Sequence, residues 1–151
     1  MQLTLFSDYS LRIALYLAAH ADRRCSVDEI SRAYGVSRTH LVKVVQRLTA
    51  LEIVSTTRGR GGGLRLARAP EEVNVGALVR ATEPHLDLVE CFDAATNTCP
   101  IDAACGLKGT LLRAKRAFLG VLDEHTLADY LPRAERLVKL WAPALRARGH
   151  A

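Results

Sequence analysis

The sequence predicts a mainly α-helical protein: a winged helix-turn-helix with a small β-hairpin wing, followed by a long C-terminal dimerisation helix. Three observations support this fold class. Hydrophobic residues make up 49% of the 151 residues and aromatic residues only 5%, which favours an aliphatic, helix-built core. Two helical patterns flank a tight turn at Gly35. A strand pattern, a glycine-rich tip and an alternating strand then follow, as in a wing.

The first predicted helix spans residues 7–20. Ser7 is its expected N-cap, and Asp8 then lies in the first turn, where the helix dipole stabilises a carboxylate. The residues expected to share its apolar face are Leu11, Leu15 and Ala18.

The next two helices form the predicted helix-turn-helix. Ser26 and Glu29 have capping-box spacing and open a short helix that ends at Tyr34, because the following glycine is a usual helix stop. Ser37 can cap the third helix, which runs from Arg38 to Leu51. The residues expected on its buried face are Leu41, Val44, Val45 and Leu48.

The predicted wing consists of strands at residues 53–57 and 64–67, joined by a tip that contains Arg58 and Arg60 among four glycines.

Charged residues divide the chain into a basic stretch and an acidic stretch. Residues 32–68 carry eight Arg or Lys and one acid, whereas residues 71–102 carry seven acids and one Arg. The basic stretch suits a polyanion, and the acidic stretch indicates a second surface with a different partner. Solvated helix faces are the alternative explanation.

These elements predict double-stranded DNA as a partner. Residues at the N-terminus of a recognition helix reach base edges in the major groove, and residues further along it reach phosphates. Arginines on a glycine-rich tip can enter a narrow minor groove. The expected base contacts are Ser37, Arg38, Thr39 and His40, the phosphate contacts are Lys43 and Arg47, and the wing contacts are Arg58 and Arg60.

The C-terminal half begins with a predicted short helix at residues 73–82 and an irregular loop at 84–102. A long helix from about residue 103 to 122 and a last helix from 133 to 145 follow, and Thr126 starts a helix between them. The long helix has a heptad-like stripe suited to a second copy of the chain: Leu107, Leu111, Ala114, Phe118 and Val121. The predicted organisation is therefore a DNA-binding domain at 1–82, a cluster-binding loop at 83–105, and the dimerisation and C-terminal helices at 106–151.

Three cysteines, Cys91, Cys99 and Cys105, lie within one 15-residue stretch, separated by seven and five residues. Clustered thiolates suit a soft metal centre, and the spacing is not that of a zinc ribbon. An iron–sulfur cluster is compatible because it accepts thiolates from an irregular loop. Three reduced, partly buried cysteines with no metal are the alternative. Three thiolates leave one iron for a ligand of another kind, and Cys25 is assigned no role.

Several functions are disfavoured. No apolar run is long enough for a membrane span, and Asp8 and Arg12 interrupt any signal peptide, so a cytoplasmic protein is expected. No nucleophile–base pair, phosphate loop or catalytic carboxylate pair indicates an enzyme.

The chain resembles the Rrf-type winged-helix regulators, and is most similar to the family's nitric-oxide-sensing repressors. The segments that carry the resemblance are residues 1–12, 34–44, 58–63, 79–84, 105–108 and 126–129. The resemblance implies a homodimer that binds a pseudo-palindromic operator. It also implies a [4Fe–4S] cluster on Cys91, Cys99 and Cys105, with Asp8 of the partner subunit as fourth ligand. A salt bridge from Asp8 to Arg12 is the alternative for that residue, and the wide gap between Cys91 and Cys99 leaves a [2Fe–2S] cluster as the alternative cofactor.

One branch of the family carries a histidine three positions after its last cysteine, where this chain has Lys108. A protonated lysine cannot bind iron, so the resemblance favours the nitric-oxide-sensing branch. The expected function is a cluster-dependent repressor that releases operator DNA when nitric oxide nitrosylates the cluster. The alternatives are an iron- or redox-responsive regulator of the same fold, and an electron-transfer or metal-delivery protein.

Overall fold

A computed structural model describes residues 2–146 and confirms the mainly helical, winged helix-turn-helix class. Residues 147–151 of the predicted C-terminal region lie outside the described part. Four short 3-10 segments lie at 70–72, 90–92, 102–104 and 127–133. The helices and strands are α1 Leu5–Ala19, α2 Val27–Tyr34, α3 Arg38–Ala50, β1 Val54–Thr57, β2 Gly63–Leu66, α4 Val75–Thr82, α5 Gly106–Asp123 and α6 Ala134–Arg146.

Helix α1 begins two residues earlier than the sequence predicted, and Ser7 is not its cap. Thr4 is the N-cap, and its hydroxyl accepts the Ser7 N–H at 3.3 Å. Ser7 is fully buried, and its hydroxyl pairs with that of Thr82 at 2.9 Å. The predicted apolar face was also incomplete, because α1 contacts α3, α4, α6 and β2 and is buried around most of its circumference. A single stripe therefore cannot describe it.

The helix-turn-helix agrees closely with the prediction. Ser26 and Glu29 form the capping box, and Gly35 ends α2 with φ 65°, a left-handed conformation that suits glycine. Ser37 is the N-cap residue of α3, although its side chain makes no capping hydrogen bond. The predicted inner face of α3 is confirmed, since its buried residues are Leu41, Val44, Val45 and Leu48.

The wing is a two-stranded antiparallel hairpin whose register pairs Val54 with Leu66 and Thr57 with Gly63. Its tip spans residues 58–62 and is closed by a hydrogen bond from the Gly62 N–H to the Gly59 carbonyl at 2.9 Å. Cys25 forms a β-bridge with Leu64 through reciprocal hydrogen bonds of 2.9 and 2.7 Å. Cys25 is also buried, and burial raises the pKa of its thiol to about 11. Cys25 is therefore a packing residue at the base of the wing.

The C-terminal elements differ in their boundaries from the prediction. Helix α4 starts at Val75 because Asn74 caps it, its side chain accepting the Ala77 N–H at 2.9 Å. Helix α5 starts at Gly106 because residues 102–104 form a separate 3-10 turn. The segment that begins after Thr126 is a 3-10 helix, and α6 follows it and buries Trp141. None of the helices within residues 2–146 has the length and apolar character to cross a membrane.

The predicted stripe on α5 is largely uncovered in one chain. Leu107 is 63% exposed and Val121 is 56% exposed, and Leu119 is the buried residue of this helix. An apolar stripe that stays exposed along an 18-residue helix is typical of a surface that contacts another molecule.

Candidate nucleic-acid interface and metal centre

The N-terminal turn of α3 exposes the residues predicted to read bases: Ser37, Arg38, Thr39 and His40. Arg38 forms an ion pair with Asp28 on α2, with 2.7 Å between Nε and Oδ1. The ring of His40 stacks on Tyr9 of α1, with 6.4 Å between the ring centroids. The N-terminal turn of α3 therefore contacts both α1 and α2.

The predicted phosphate and wing residues are also exposed, but one of them has an internal role. Lys43, Arg58 and Arg60 extend into solvent. Arg47 is exposed as well, yet its guanidinium donates to the Ala81 carbonyl at 3.0 Å. Arg47 thus connects the recognition helix to the last turn of α4, a contact that the sequence did not indicate.

The three clustered cysteines lie on the segment between α4 and α5. Cys91 is in the 3-10 turn Glu90–Phe92, Cys99 precedes Pro100, and Cys105 is the N-cap residue of α5. All three are free thiols and half-buried. Across residues 2–146, no three His, Cys, Asp or Glu side chains come together as a metal-binding group. The single chain therefore places the three cysteines on one loop without closing a site around a metal.

The donor chemistry of this loop fits an iron–sulfur cluster. Such clusters take thiolate ligands, and these thiols are not consumed in disulfides. Cys105 lies at the N-terminus of α5, where the helix dipole favours negative charge. The residues that could hold a cluster are Cys91, Cys99 and Cys105.

Polar side chains order the first part of this loop. The Glu90 carboxylate accepts both the N–H and the hydroxyl of Thr98, each at 2.6 Å. These bonds lower the pKa of Glu90 below its ordinary value. The Asn97 side chain accepts the Cys99 N–H at 3.1 Å. The turn that carries Cys91 is therefore fastened to the residue that precedes Cys99.

Asp102 organises the second part of the loop. Its N–H donates to the Cys99 carbonyl and its carbonyl accepts the Cys105 N–H, both at 3.3 Å. Its carboxylate pairs with the Lys108 ammonium at 2.6 Å. That hydrogen bond raises the pKa of Lys108, and the nearby sulfurs of Cys91 and Cys105 act in the same direction. Asp102 therefore joins the backbones of Cys99 and Cys105 and holds the Lys108 side chain of α5.

Asp8, the predicted fourth ligand, pairs with Arg12 in this chain. The two side chains make contacts of 2.8 and 2.9 Å, and the guanidinium also lies 5.6 Å from the centre of the Tyr34 ring. This is the alternative that the sequence left open. The ligand assignment concerns the partner subunit and stays a prediction.

A polar junction connects the start of α1 to the end of α4, where the cysteine loop begins. Glu83 accepts the Thr4 N–H at 2.8 Å, and the Ser7 and Thr82 hydroxyls meet in a buried pair. Sequence reasoning missed Asp28, Glu83, Glu90 and Asp102. Their only common signal was a carboxylate beside a predicted site residue or helix end, which is too frequent to single them out.

The fold and these surfaces define a winged-helix DNA-binding protein with a cysteine-bearing loop next to an apolar helix. The chain belongs to the Rrf2 family, described as iron-dependent transcriptional regulators, whose family model matches residues 3–133. It is therefore a DNA-binding transcriptional regulator, and the expectation that it is not an enzyme is confirmed by the family.

Relatives named HTH-type transcriptional regulator NsrR cover nearly the whole chain. Those of Halalkalibacterium halodurans and Bacillus subtilis are 48% and 47% identical over 141 residues, which is 93% of this chain and 97% of each relative. Among solved structures, IscR of T. potens has a TM-score of 0.70 at 25% identity and covers 90% of both chains. CymR, the global cysteine regulator of B. subtilis, shares the fold with a TM-score of 0.70 at 23% identity, covering 87% of this chain and 97% of its own.

Proposed function

We propose that this chain is a cytoplasmic, homodimeric transcriptional repressor whose binding to a pseudo-palindromic operator depends on an iron–sulfur cluster that senses nitric oxide. The observation that carries the proposal is the loop between α4 and α5. It bears three free cysteines, and its own side chains order it. It begins beside the polar junction between α1 and α4, next to the hydrogen bond that joins Arg47 of α3 to α4. The NsrR name of the relatives and the iron dependence of the family support the same function.

The residues that would hold the cluster are Cys91, Cys99 and Cys105, with Asp8 of the partner subunit as the fourth ligand. A [4Fe–4S] cluster is the proposed form and [2Fe–2S] the alternative. When bound, the cluster would supply iron that reacts with nitric oxide, and operator release on nitrosylation is the proposed response. Lys108 supports this assignment, because an ammonium held by Asp102 cannot act as a fourth ligand from the same chain.

The homodimer would form through the apolar stripe of α5, on which Leu107 and Val121 are exposed. A two-fold dimer presents two copies of α3, so its operator is expected to contain two related half-sites. The chain also has a physical connection from the loop to the recognition helix. Glu83 holds Thr4 at the start of α1, and Arg47 joins α3 to the end of α4.

Asp8 has two alternative partners in this proposal. Its carboxylate binds Arg12 within α1 in the isolated chain, and as a ligand it would leave that ion pair. Because Asp8 lies in the first turn of α1, four residues after the Glu83-bound Thr4, a change of partner would act directly on the polar junction. A switch of this kind requires the dimer to take one shape when Asp8 is a ligand and another when Asp8 binds Arg12. The two shapes must also differ in their affinity for DNA.

The test is anaerobic preparation of the protein, an absorption and Mössbauer spectrum, and titration of nitric oxide while operator binding is followed. Cluster-loaded protein is expected to bind the operator and to release the operator after several equivalents of nitric oxide have been added. Cys105→Ser should abolish cluster binding, whereas Cys25→Ala, a cysteine outside the loop, should retain it. Unchanged operator affinity after nitric oxide would reject the sensor, and a colourless air-free preparation would reject the cluster.

The second candidate is an iron- or redox-responsive regulator of the same fold, which the family description favours. Derepression on iron limitation with no response to nitric oxide would select it. An electron-transfer or metal-delivery protein would show no operator binding and no effect of Arg38→Ala, which separates it from both regulators.

A further inference from the structure

We infer that Asp28 is a specificity-determining residue for DNA: it positions Arg38 so that the outer edge of the guanidinium reads a guanine in each operator half-site. The inference rests on the proposed function, in which α3 is the recognition helix. It adds a residue of the preceding helix to the DNA-reading surface and assigns a base to Arg38.

The pair joins the N-terminal turns of the two helices of the helix-turn-helix. Asp28 is the second residue of α2 and Arg38 the first residue of α3. The Arg38 Nε lies 2.7 Å from Asp28 Oδ1, although the side chains are 63% and 65% exposed. Among the cations predicted to contact DNA, Arg38 is the one that has a carboxylate partner within the described part of the chain.

Asp28 lies in the first turn of α2, where the helix dipole favours a carboxylate, so it contributes to the stability of that helix. Ser26 and Glu29 already form the capping box of α2, with both of its hydrogen bonds present. An ion pair between two largely exposed side chains contributes little to folding. A carboxylate beside the DNA-reading turn also repels phosphates and so weakens binding to DNA of any sequence. Its contact with Arg38 is a separate effect, and that contact lies at the turn predicted to read DNA.

The atoms involved suggest that effect. The guanidinium has five N–H donors in a planar fork, and its Nε is the atom that lies 2.7 Å from Asp28 Oδ1. The terminal Nη1 and Nη2 groups remain for another acceptor. In the major groove guanine presents O6 and N7 side by side, which matches two terminal N–H groups. A guanidinium held by a carboxylate before DNA arrives loses less side-chain freedom when it binds.

The ion pair also discriminates against wrong bases. At a position that offers no pair of acceptors, Arg38 keeps Asp28 as its better partner, and the Asp28 carboxylate stays close to the DNA phosphates. Specificity arises here from an attractive contact with guanine and a repulsive contact otherwise. Immobilising one long side chain in advance corresponds to about a two- to tenfold gain in preference for guanine.

The experiment uses the cluster-loaded dimer and selects binding sites from a library of duplexes with a random central segment. The variants are Asp28→Asn, Arg38→Ala and Arg38→Lys, and the control is Asp22→Asn, which removes one exposed carboxylate outside the helix-turn-helix. Affinities are then measured for the selected site, for the site with 7-deazaguanine at the selected guanine, and for random DNA. Thermal melts check that each variant is folded.

Wild type and Asp22→Asn are expected to select a guanine in each half-site and to lose affinity when its N7 is removed. Asp28→Asn should reduce both the guanine preference and the 7-deazaguanine penalty by about two- to tenfold, while its affinity for random DNA is equal or higher. Arg38→Ala and Arg38→Lys should lose most of the preference.

Three outcomes would overturn the inference. Asp28→Asn could keep the full guanine preference, or raise affinity equally for selected and random DNA, which would make Asp28 only a repulsive charge. Arg38→Ala could select the same site as wild type. If cluster-loaded wild type selected no sequence at all, the proposed function itself would fail, so the two failures are distinguishable.

Discussion

Trp141 is the one tryptophan of the chain and attaches α6 to the DNA-binding domain. Its indole is 7% exposed and contacts Tyr16, Tyr34 and His20, with centroid separations of 4.6, 5.5 and 5.8 Å. These rings come from α1 and α2, so truncation of Trp141 removes the centre of an aromatic cluster that joins three helices.

Truncation of a buried tryptophan to alanine costs about 3–5 kcal/mol, and aromatic pairs contribute beyond their buried area. Three ring contacts place Trp141→Ala near the middle of that range or above, at about 4 kcal/mol of the free energy of unfolding. A domain has about 5–15 kcal/mol in total, so this is a large fraction. The melting temperature should fall by about 8–16 °C for a chain of this size.

The assay is urea unfolding followed by far-ultraviolet circular dichroism, at one protein concentration because dimerisation adds to stability. In the wild type, Trp141 fluorescence should change together with the dichroism if α6 unfolds with the domain. Trp141→Phe keeps an apolar ring and should lose less than half as much stability. Lys139→Ala, an exposed neighbour on α6, should stay within about 0.5 kcal/mol of wild type. A loss below about 1 kcal/mol for Trp141→Ala would refute the assigned role of the cluster.

Three further predictions concern the polar contacts. Glu29→Gln should lower stability by about 1–2 kcal/mol at pH 7. Burial pulls the pKa of Glu29 upward, but hydrogen bonds from Arg23 and Tyr16 hold it below its ordinary 4.5. The stabilising effect is therefore fully present above that value, and the difference from wild type should shrink in urea titrations as the pH falls further, through the lower pKa of the folded state. Gly62→Ala should weaken DNA binding in a gel-shift assay without unfolding the domain, because its Cβ would lie 2.3 Å from the Thr57 carbonyl oxygen and force the wing tip to move. Asp102→Asn should speed amide hydrogen exchange of residues 99–105 in the cluster-free protein about three- to fivefold, since it removes the Lys108 ion pair.

Each of these has a contradicting result. A Glu29→Gln difference that stays constant as the pH is lowered from 7 through the acid range would show that the carboxylate is not the charged acceptor. Full DNA affinity in Gly62→Ala would mean that the tip conformation is unimportant for binding. For Asp102→Asn the control is Asp22→Asn, and equal exchange rates in both would exclude an ordering role for the ion pair.

The sequence best predicted the elements that have one buried face and one exposed face. Helix α3 has one face in the core and one in solvent, so its period identified Leu41, Val44, Val45 and Leu48 without error. Helix α1 is surrounded, and its buried polar residues Ser7 and Ser10 cannot be recognised from a period. Ser7 looked like a cap because capping residues and buried small polar residues are the same residue types. Only the contact with Thr82 distinguishes the two.

The candidate site was predictable in its residue types but not in its connections. Exposed cations on α3 and cysteines on a loop can be read from charge and spacing. Arg47 shows the limit: its phosphate contact stays a prediction, and nothing in its sequence environment indicates the hydrogen bond that it donates to the Ala81 carbonyl. That contact depends on how α4 crosses α3, which no local pattern encodes. Within residues 2–146 the three cysteines do not come together as a metal-binding group, and their spacing along the loop does not indicate this.

The acidic stretch at residues 71–102 has a different meaning in the structure from the one its composition suggested. Six of its seven carboxylates have partners within the chain. Glu72, Glu83, Glu90 and Asp93 accept backbone N–H groups, and Asp87 and Asp102 pair with Lys115 and Lys108. A second partner surface is therefore not needed to explain this charge.

These carboxylates explain how the loop between α4 and α5 keeps its shape with so little apolar burial. Backbone N–H groups lower the pKa of Asp93, and Thr98 does the same for Glu90, so both remain charged acceptors at neutral pH. The negative charge of Glu90 and Asp93 is therefore paired with N–H groups of the same loop, which also carries the three cysteines. A loop ordered by charge-assisted bonds instead of a core can be reshaped by a ligand at low cost, which is the property a sensing segment needs.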